Sequence, residues 1–163
     1  MNTGSVTVAR ADLEAAEHQA AILALVDMYA RDPMGGSRPL PAAVRADLIP
    51  GLQAHPTTLV FLAYAGERAV GIAVCFRGFS TFAAKPLINI HDLAVHPDFR
   101  RRGIGQQLLG AVERHARETG CCRLSLEVLE ENAAARSAYH AFGFNGANHL
   151  SPSGRTLFYV KPI

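Results

Sequence analysis

A run of three arginines followed by two glycines is the part of this sequence best suited to bind an anion. The run reads RRRGIG, from Arg100 to Gly105, and lies between a predicted strand that ends at Val95 and a predicted helix that begins at Gly103. The first backbone N–H groups of a helix lack partners within that helix, and the helix dipole is positive there. The glycines let the backbone approach a ligand closely, and the arginines add positive charge. The segment therefore predicts a cradle of backbone amides for a pyrophosphate.

Two other interpretations of this segment compete with a pyrophosphate cradle. A solvated basic turn closed by glycines would need no ligand. A Rossmann dinucleotide site would have a third glycine where Leu108 stands, and its turn would follow the strand almost at once, whereas seven residues separate Val95 from Gly103. Glu127 falls about where a ribose-binding acid would stand, which keeps the Rossmann alternative open.

The elements that must position this segment form one predicted α/β domain, residues 1–163. The predicted strands are Val6–Val8, Thr57–Tyr64, Ala69–Phe76, Leu87–Val95, Arg123–Leu129 and Thr156–Val160, and Arg77–Pro86 is predicted as a loop. The first predicted helix runs from the N-cap Asp12 to about Arg31, with Tyr29 on its apolar face, and the second begins near Pro41. The third runs from Gly103 to Thr119 with Ile104, Leu108 and Val112 spaced as one buried face, and the fourth from Asn132, a candidate N-cap, to Phe142. Antiparallel hairpins followed by a strand–helix–strand unit predict a mixed, mostly antiparallel sheet with helices on both faces.

Composition and charge exclude several classes of protein. Hydrophobic residues make up 49% of the 163 positions and charged residues 18%, which predicts a folded globular protein. The net charge of +2 is too small to predict nucleic-acid or anionic-membrane binding. The three cysteines form neither a disulfide framework nor a metal-binding spacing, and the most apolar helical stretch, Ala20 to Ala30, is too short to span a bilayer. We expect a soluble, cytoplasmic protein without a metal.

Taken together, the motifs resemble those of the GNAT family of acyl-CoA-dependent N-acetyltransferases. The resemblance covers Leu59 to Phe144: a hairpin, the strand segment LINIHDLAVHPDFR, the R-x-x-G-x-G loop and the pattern N-x-x-A-x-x-x-Y-x-x-x-G-F. Within the family it is strongest to the diamine and thialysine acetyltransferases, whose equivalent strand also carries a charged pair before an apolar triplet. It implies a GNAT-like fold with a splayed pair of parallel strands, acetyl-CoA as co-substrate, and a homodimer.

The resemblance also implies a cofactor-binding set. The backbone of the apolar triplet would pair with the pantetheine arm as an added strand, and the amides from Arg101 to Gln106 would hold the pyrophosphate. Arg101 stands where the family often has glycine, so its side chain must point to solvent or to the nucleotide phosphates. The predicted cofactor-binding residues are Leu93, Ala94, Val95, Arg100, Arg101, Arg102, Gly103, Ile104, Gly105, Gln106, Asn132 and Ala135.

Tyr139 matches the family tyrosine that protonates the departing coenzyme A thiolate. A phenol titrates near pH 10 and a thiol near 8.5, so the donor stays protonated at neutral pH. The alternative is an amphipathic core tyrosine with its hydroxyl at the rim.

His91 and Asp92 are the predicted bases, because an amine with a pKa of about 10.4 is almost wholly protonated at pH 7. An imidazole suits base catalysis near neutral pH, although the diamine-type enzymes usually carry an acid at position 91. Adjacent strand residues point to opposite faces, so His91 and Asp92 cannot both serve unless a bulge intervenes. The alternative is that His91 only hydrogen-bonds the sheet or Asp92.

The expected function is acetyl transfer from acetyl-CoA to a primary amine of a small molecule, by direct attack in a ternary complex. Backbone N–H groups near Leu93 and Val95 would hold the oxyanion. The alternatives are a non-catalytic acyl-CoA sensor, a protein-lysine or N-terminal acetyltransferase, and a basic nucleic-acid-binding domain. A cysteine nucleophile is disfavoured. The choice of acceptor is expected to lie with Asp32 to Pro39, the following helix and Phe79 to Lys85, with carboxylates at Asp27, Asp32 and Asp47 as candidates for binding a polycation.

Overall fold

The protein is described here by a computed structural model that covers residues 5–145 and 160–162. The chain divides into two compact units, Met1–Leu129 and Glu130–Ile163. In the first unit the elements are β1 Val6–Arg10, α1 Ala16–Arg31, α2 Ala42–Ala54, β2 Thr58–Ala65, β3 Arg68–Ser80, β4 Lys85–Val95, a 3-10 turn Pro97–Phe99, α3 Ile104–Glu118 and β5 Leu124–Leu126. In the second unit α4 spans Ala133–Phe142. No helix within the described residues is long and apolar enough to cross a membrane.

The five strands lie in sequence order in one mixed sheet. The first four are antiparallel to their neighbours, while β4 and β5 are parallel and pair only from Ile88 to Ile90. β4 continues to Val95 after β5 has ended at Leu126, so the parallel pair separates. The mostly antiparallel sheet with a splayed parallel pair is therefore confirmed. The Rossmann alternative is wrong, because that fold requires a mostly parallel sheet.

Helices cover both faces of the sheet. On one face α1 and α2 pack against β2, β3 and β4 in a core of Ile22, Leu25, Leu52, Val60, Leu62, Ile72, Val74 and Ala94. On the other face α3 buries Ile104, Leu108 and Val112, which are four positions apart and so lie on one side of the helix. A Cβ at Gly71 of β3 would lie 3.1 Å from Leu108 Cδ1 and 3.2 Å from Ile104 Cγ2. This glycine therefore lets the first turn of α3 approach the sheet closely.

Several predicted element boundaries are wrong. α1 begins at Ala16 and not after Asp12, whose carboxylate instead accepts a 2.9 Å hydrogen bond from the backbone N–H of Glu14 in the preceding turn. Most of Arg77–Pro86, predicted as a loop, extends the β3–β4 hairpin, because cross-strand pairing continues to Ser80 opposite Lys85. β5 is shorter than the predicted Arg123–Leu129. The predicted strand Thr156–Val160 lies outside the described residues except for Val160, which is not in a strand.

Candidate functional site

β4 contains a bulge at His91. In the pairing of β3 with β4, Val74 lies opposite Asp92 and the next residue, Cys75, lies opposite Ile90. His91 is therefore an extra residue in β4 with no partner in β3. A bulge of this kind interrupts the alternation of side chains and redirects the residues beside it.

The bulge brings His91 and Asp92 to the same face of the sheet. The ring centroids of His91 and Phe76 are 5.5 Å apart, and Phe76 packs against the α1–α2 core. Asp92 lies opposite Val74, which belongs to the same core. Alternation in a regular strand would have placed the two side chains on opposite faces, and the bulge is the exception that lets both face α1 and α2.

The carboxyl group of Asp92 is half-buried, and this burial raises its pKa, while the neighbouring His91 acts in the opposite sense. A raised pKa makes the carboxylate a stronger proton acceptor. Tyr29 of α1 belongs to the same environment, because burial first and the charge of Asp92 second raise the pKa of its phenol. Sequence reasoning placed Tyr29 only on the apolar side of a helix, since no local pattern indicated that α1 would lie against this part of β4.

The segment before α3 presents backbone donors. Gly103 is the N-cap of α3 with φ 75°, and Arg101 also has a positive φ, 62°. The backbone N–H groups of residues 101–105 donate to no atom within the described part of the chain, whereas the N–H of Gln107 reaches the Gly103 carbonyl at 3.1 Å. Two left-handed residues within three positions thus shape a turn whose donors remain open for an anion. The conformation of Arg101 also explains why glycine suits this position.

The side chain of Arg100 is engaged within the protein. Its Nε donates to the Val95 carbonyl at 3.1 Å, and its terminal nitrogen Nη2 donates to the Asp32 carboxylate at 2.7 Å. Arg100 was predicted to bind the cofactor. Its guanidinium joins the end of β4 to the loop that follows α1, and the predicted contact with the cofactor stays a prediction.

The other two arginines of the run differ from each other. The guanidinium of Arg102 lies over the Phe99 ring, 5.0 Å from its centroid, and Arg68 lies 5.1 Å from the same ring. Arg101 is exposed and makes no hydrogen bond or ion pair with any described residue. Stacking on a ring leaves the N–H edge of a guanidinium free, so Arg101 and Arg102 both keep donors that bond to no described residue.

The triplet Leu93, Ala94 and Val95 lies in β4 beyond the end of β5. On one side it pairs with β3, where Leu93 lies opposite Ala73 and Val95 lies opposite Gly71. On the other side no strand among the described residues accompanies it, because β5 pairs only with residues 88–90. Apart from the Val95 carbonyl, which accepts from Arg100 Nε, this backbone edge is paired with no described strand and has the form that β-augmentation requires.

Two carboxylates that were considered for binding a polycation are occupied by the protein itself. Asp27 is buried and accepts hydrogen bonds from Arg31 Nε and from the backbone N–H of Leu40, both at 2.9 Å, and Arg45 lies 3.1 Å away. The hydrogen bond from Arg31 is the main cause that lowers the pKa of Asp27. Asp32 is held by Arg100, which likewise lowers its pKa. Both acids are therefore paired with arginines of the protein itself.

Glu127, directly after β5, is hydrogen-bonded by a side chain of β4. Asn89 of β4 donates from Nδ2 to a carboxylate oxygen of Glu127 at 3.3 Å and to Ser125 Oγ at 3.3 Å. These side chains connect β4 to the segment of β5, and sequence reasoning did not identify the connection.

The second unit carries the predicted acid. Asn132 caps α4 by accepting from the backbone N–H of Ala135 at 3.1 Å, as the sequence predicted, and Gly143 ends the helix with φ 105°. Tyr139 is half-buried, and its ring centroid is 5.9 Å from that of Phe144.

Comparison with known proteins identifies the family. The profile of the Acetyltransferase (GNAT) family matches residues 22–144. The chain is 30% identical over 78 residues to the aminoglycoside N(6')-acetyltransferase type 1 of Salmonella typhimurium (strain LT2), which is 48% of this chain and 50% of that protein. It is 33% identical over 78 residues to the thialysine N-epsilon-acetyltransferase of Bos taurus, 48% of this chain and 45% of that protein. The chain thus spans about half the length of these curated relatives.

The fold has close counterparts among solved structures. The structure of the aminoglycoside N-acetyltransferase AAC(6')-Iy in complex with CoA superposes with a TM-score of 0.76 at 20% identity, over 99% of this chain and 98% of that one. At this identity the likeness concerns the fold alone. The family profile covers most of the chain, and the sheet with its splayed strand pair agrees with it. The chain belongs to the Acetyltransferase (GNAT) family.

Proposed function

We propose that this chain transfers the acetyl group of acetyl-CoA to a primary amine of a small molecule. The observation that carries the proposal is the bulge in β4, which places His91 and Asp92 on one face beside the open backbone edge of residues 93–95. Acetyl-CoA is taken as the acyl donor because members of this family use it. The combination of a proton-accepting pair with a free strand edge supports catalysis over simple ligand binding.

His91 and Asp92 act as the base in this proposal. His91 is exposed and takes the proton of the ammonium directly or through one water, and the half-buried Asp92 stabilises the imidazolium that forms. The freed amine then attacks the thioester carbonyl, and backbone N–H groups near Leu93 and Val95 hold the oxyanion. The nitrogen of the tetrahedral intermediate then releases its extra proton to solvent and the C–S bond breaks. Tyr139 donates a proton to the departing thiolate sulfur and is reprotonated from solvent.

The cofactor is held mainly by backbone groups in this proposal. The amides of residues 101–106 bind the pyrophosphate at the N-terminus of α3, and the guanidinium of Arg101 adds charge. The edge of Leu93 to Val95 pairs with the pantetheine arm, and Asn132 and Ala135 stand at the start of α4 as the remaining predicted contacts. No side-chain nucleophile takes part.

The proposal is tested by measuring thiol release from acetyl-CoA at pH 8 with a panel of primary amines and with peptides that carry a free N-terminus or a lysine. We expect turnover with at least one small amine, and a large loss of kcat in Tyr139→Phe. Turnover restricted to peptides would support the protein acetyltransferase alternative. Tight CoA binding by calorimetry without turnover of any acceptor would contradict the proposal and favour the sensor alternative.

A further inference from the structure

A cavity of about 420 Å³ lies along α2 on the same side of the sheet as His91 and Asp92. Its lining consists of Ala43, Val44, Asp47, Leu48, Gly51, Leu52, His55 and Phe76. Most of these side chains are aliphatic or aromatic, and the ionisable groups among them are one carboxylate and one imidazole. Such a lining binds an apolar group better than a hydroxylated one.

Phe76 connects the cavity to the proposed base. Its ring contacts His55 edge-on at 5.0 Å between centroids, and it contacts His91 edge-on at 5.5 Å. His55 lines the cavity, while His91 stands in the bulge. The cavity and His91 are therefore separated by about the width of the Phe76 ring. One small molecule is long enough to occupy the cavity and to place its amine beside His91.

The charges around the cavity do not suit a polycation. Asp27 and Asp32 are neutralised by Arg31, Arg45 and Arg100. Asp47 is the carboxylate of the cavity lining, and it has no ion pair with any described residue. A ligand with several ammonium groups would therefore meet Asp47 beside a mainly apolar wall, and beyond it only the Asp92 carboxyl next to His91.

From this juxtaposition we propose that the cavity along α2 holds the apolar body of the acceptor. The acceptor class is then an alkyl or arylalkyl primary amine, with its ammonium at His91 and its hydrocarbon part past Phe76. The inference rests on the proposed function and narrows it, because it disfavours polyamines and hydroxylated aminoglycosides as substrates of this chain.

The first test compares acceptors in acetyl transfer at pH 8. We expect kcat/KM for hexylamine and 2-phenylethylamine to exceed that for spermidine and for neamine by about ten- to hundredfold, the effect of burying one sizeable apolar group. Equal values, or a preference for spermidine or neamine, would overturn the inference while leaving acetyl transfer intact.

The second test changes the cavity without disturbing the fold. Gly51 lines the cavity and a Cβ there would meet no atom within 4 Å, so the side chain of Gly51→Leu starts in open space at the cavity wall. Gly110→Leu is the matched control, because Gly110 is also inside a helix and its Cβ would lie 3.8 Å from the nearest atom, Arg114 Nη1. We expect Gly51→Leu to raise KM for 2-phenylethylamine about tenfold, and Gly110→Leu to leave it within about twofold. KM for acetyl-CoA stays unchanged in both. An unchanged KM for 2-phenylethylamine in Gly51→Leu contradicts the inference.

A binding measurement separates failure of this inference from failure of the proposed function. Calorimetry of 2-phenylethylamine against the protein saturated with unacetylated coenzyme A needs no reaction. Binding that Gly51→Leu weakens about tenfold, in a protein that turns over no amine, would uphold the cavity and refute catalysis. Absence of binding would refute the cavity assignment.

Discussion

Arg100 donates to the Asp32 carboxylate over 2.7 Å, and this bond joins the turn before α3 to the loop after α1. The same guanidinium holds the Val95 carbonyl at the end of β4. The Asp32 carbonyl in turn accepts from the backbone N–H groups of Gly35, Gly36 and Ser37. One ion pair thus ties together the segments proposed to bind the cofactor and those beside the acceptor.

Replacing Asp32 with Asn is expected to lower stability at pH 7 by about 1 kcal/mol or less, since the pair is partly exposed. The pKa of Asp32 is lowered in the folded protein. The stability that the ion pair gives the folded protein is therefore fully present above the ordinary carboxyl pKa of about 3.9. It is lost as the pH falls through the lowered pKa of Asp32. Urea denaturation of the parent protein and of Asp32→Asn between pH 7 and pH 3 should show a difference in the free energy of unfolding that becomes smaller towards pH 3. Asp47→Asn is the control, and we expect it to change stability by less than about 0.5 kcal/mol. A difference that grew towards low pH would contradict the role of the ion pair.

Replacing Asp92 with Asn is expected to stabilise the protein at pH 7 and to reduce activity. Burial raises the pKa of Asp92, so the charged carboxylate is less stable in the folded protein than in the unfolded chain. The resulting loss of folding stability is complete at pH values above the raised pKa of Asp92. It disappears as the pH falls through the ordinary carboxyl pKa, because Asp92 is then protonated in the folded and the unfolded protein alike. Denaturation at pH 7 and at pH 3.5 measures the change, and a variant less stable than the parent at pH 7 would contradict the prediction.

Replacing His91 with Ala is expected to lower kcat/KM at pH 7 by about 10²- to 10⁴-fold, the usual contribution of a general base. The defect should shrink towards pH 9.5, because the amine then loses its proton without help. His18→Ala is the control, since His18 lies in α1 and accepts a hydrogen bond from the backbone N–H of Asp12 in the preceding turn. A defect of equal size at all pH values would indicate a structural role for His91.

Two pairs of variants test the backbone conformation of the turn. Arg101 has φ 62°, a conformation that costs about 1–2 kcal/mol for a residue with a Cβ. Arg101→Gly should therefore be more stable than Arg101→Ala by about 0.5–1 kcal/mol, after the greater freedom of glycine in the unfolded chain is subtracted. At Arg102, whose φ is not positive, the alanine variant should be more stable than the glycine variant. The same order at both positions would refute this explanation. Thermal unfolding is sufficient for the comparison.

Cys75 is predicted to be unreactive. Burial, together with the charge of Asp92, raises the pKa of its thiol to about 12, so almost no thiolate exists at pH 8. Cys122 is exposed and should be labelled by an aromatic disulfide reagent in the native protein, whereas Cys75 should be labelled only in urea. Peptide mass spectrometry locates the labels. Loss of acetyl transfer in Cys75→Ala, in a protein that remains folded, would revive a cysteine nucleophile.

Helices and caps, whose hydrogen bonds join residues a few positions apart, could be predicted from the sequence. The spacing of Ile104, Leu108 and Val112 predicted α3 and its buried side, and Gly103 marked its start. Asn132 was predicted as a cap and is one, because the cap bond reaches only three positions along the chain. The motif pattern was sufficient to assign the family, since each motif is a short run of residues whose geometry is largely local.

The arrangement of the candidate site was decided by tertiary structure. The bulge at His91 exists only in the pairing of β4 with β3, and alternation along β4 by itself predicted opposite faces for His91 and Asp92. Arg100 and Asp32 are 68 positions apart, so no local pattern relates them, and their pairing gives Arg100 a positioning role that the sequence did not predict. Residue spacing determines helical turns and caps, because those bonds close within a few positions. Which distant segments meet is set by how the helices and strands pack, and that packing is expressed only in the folded chain.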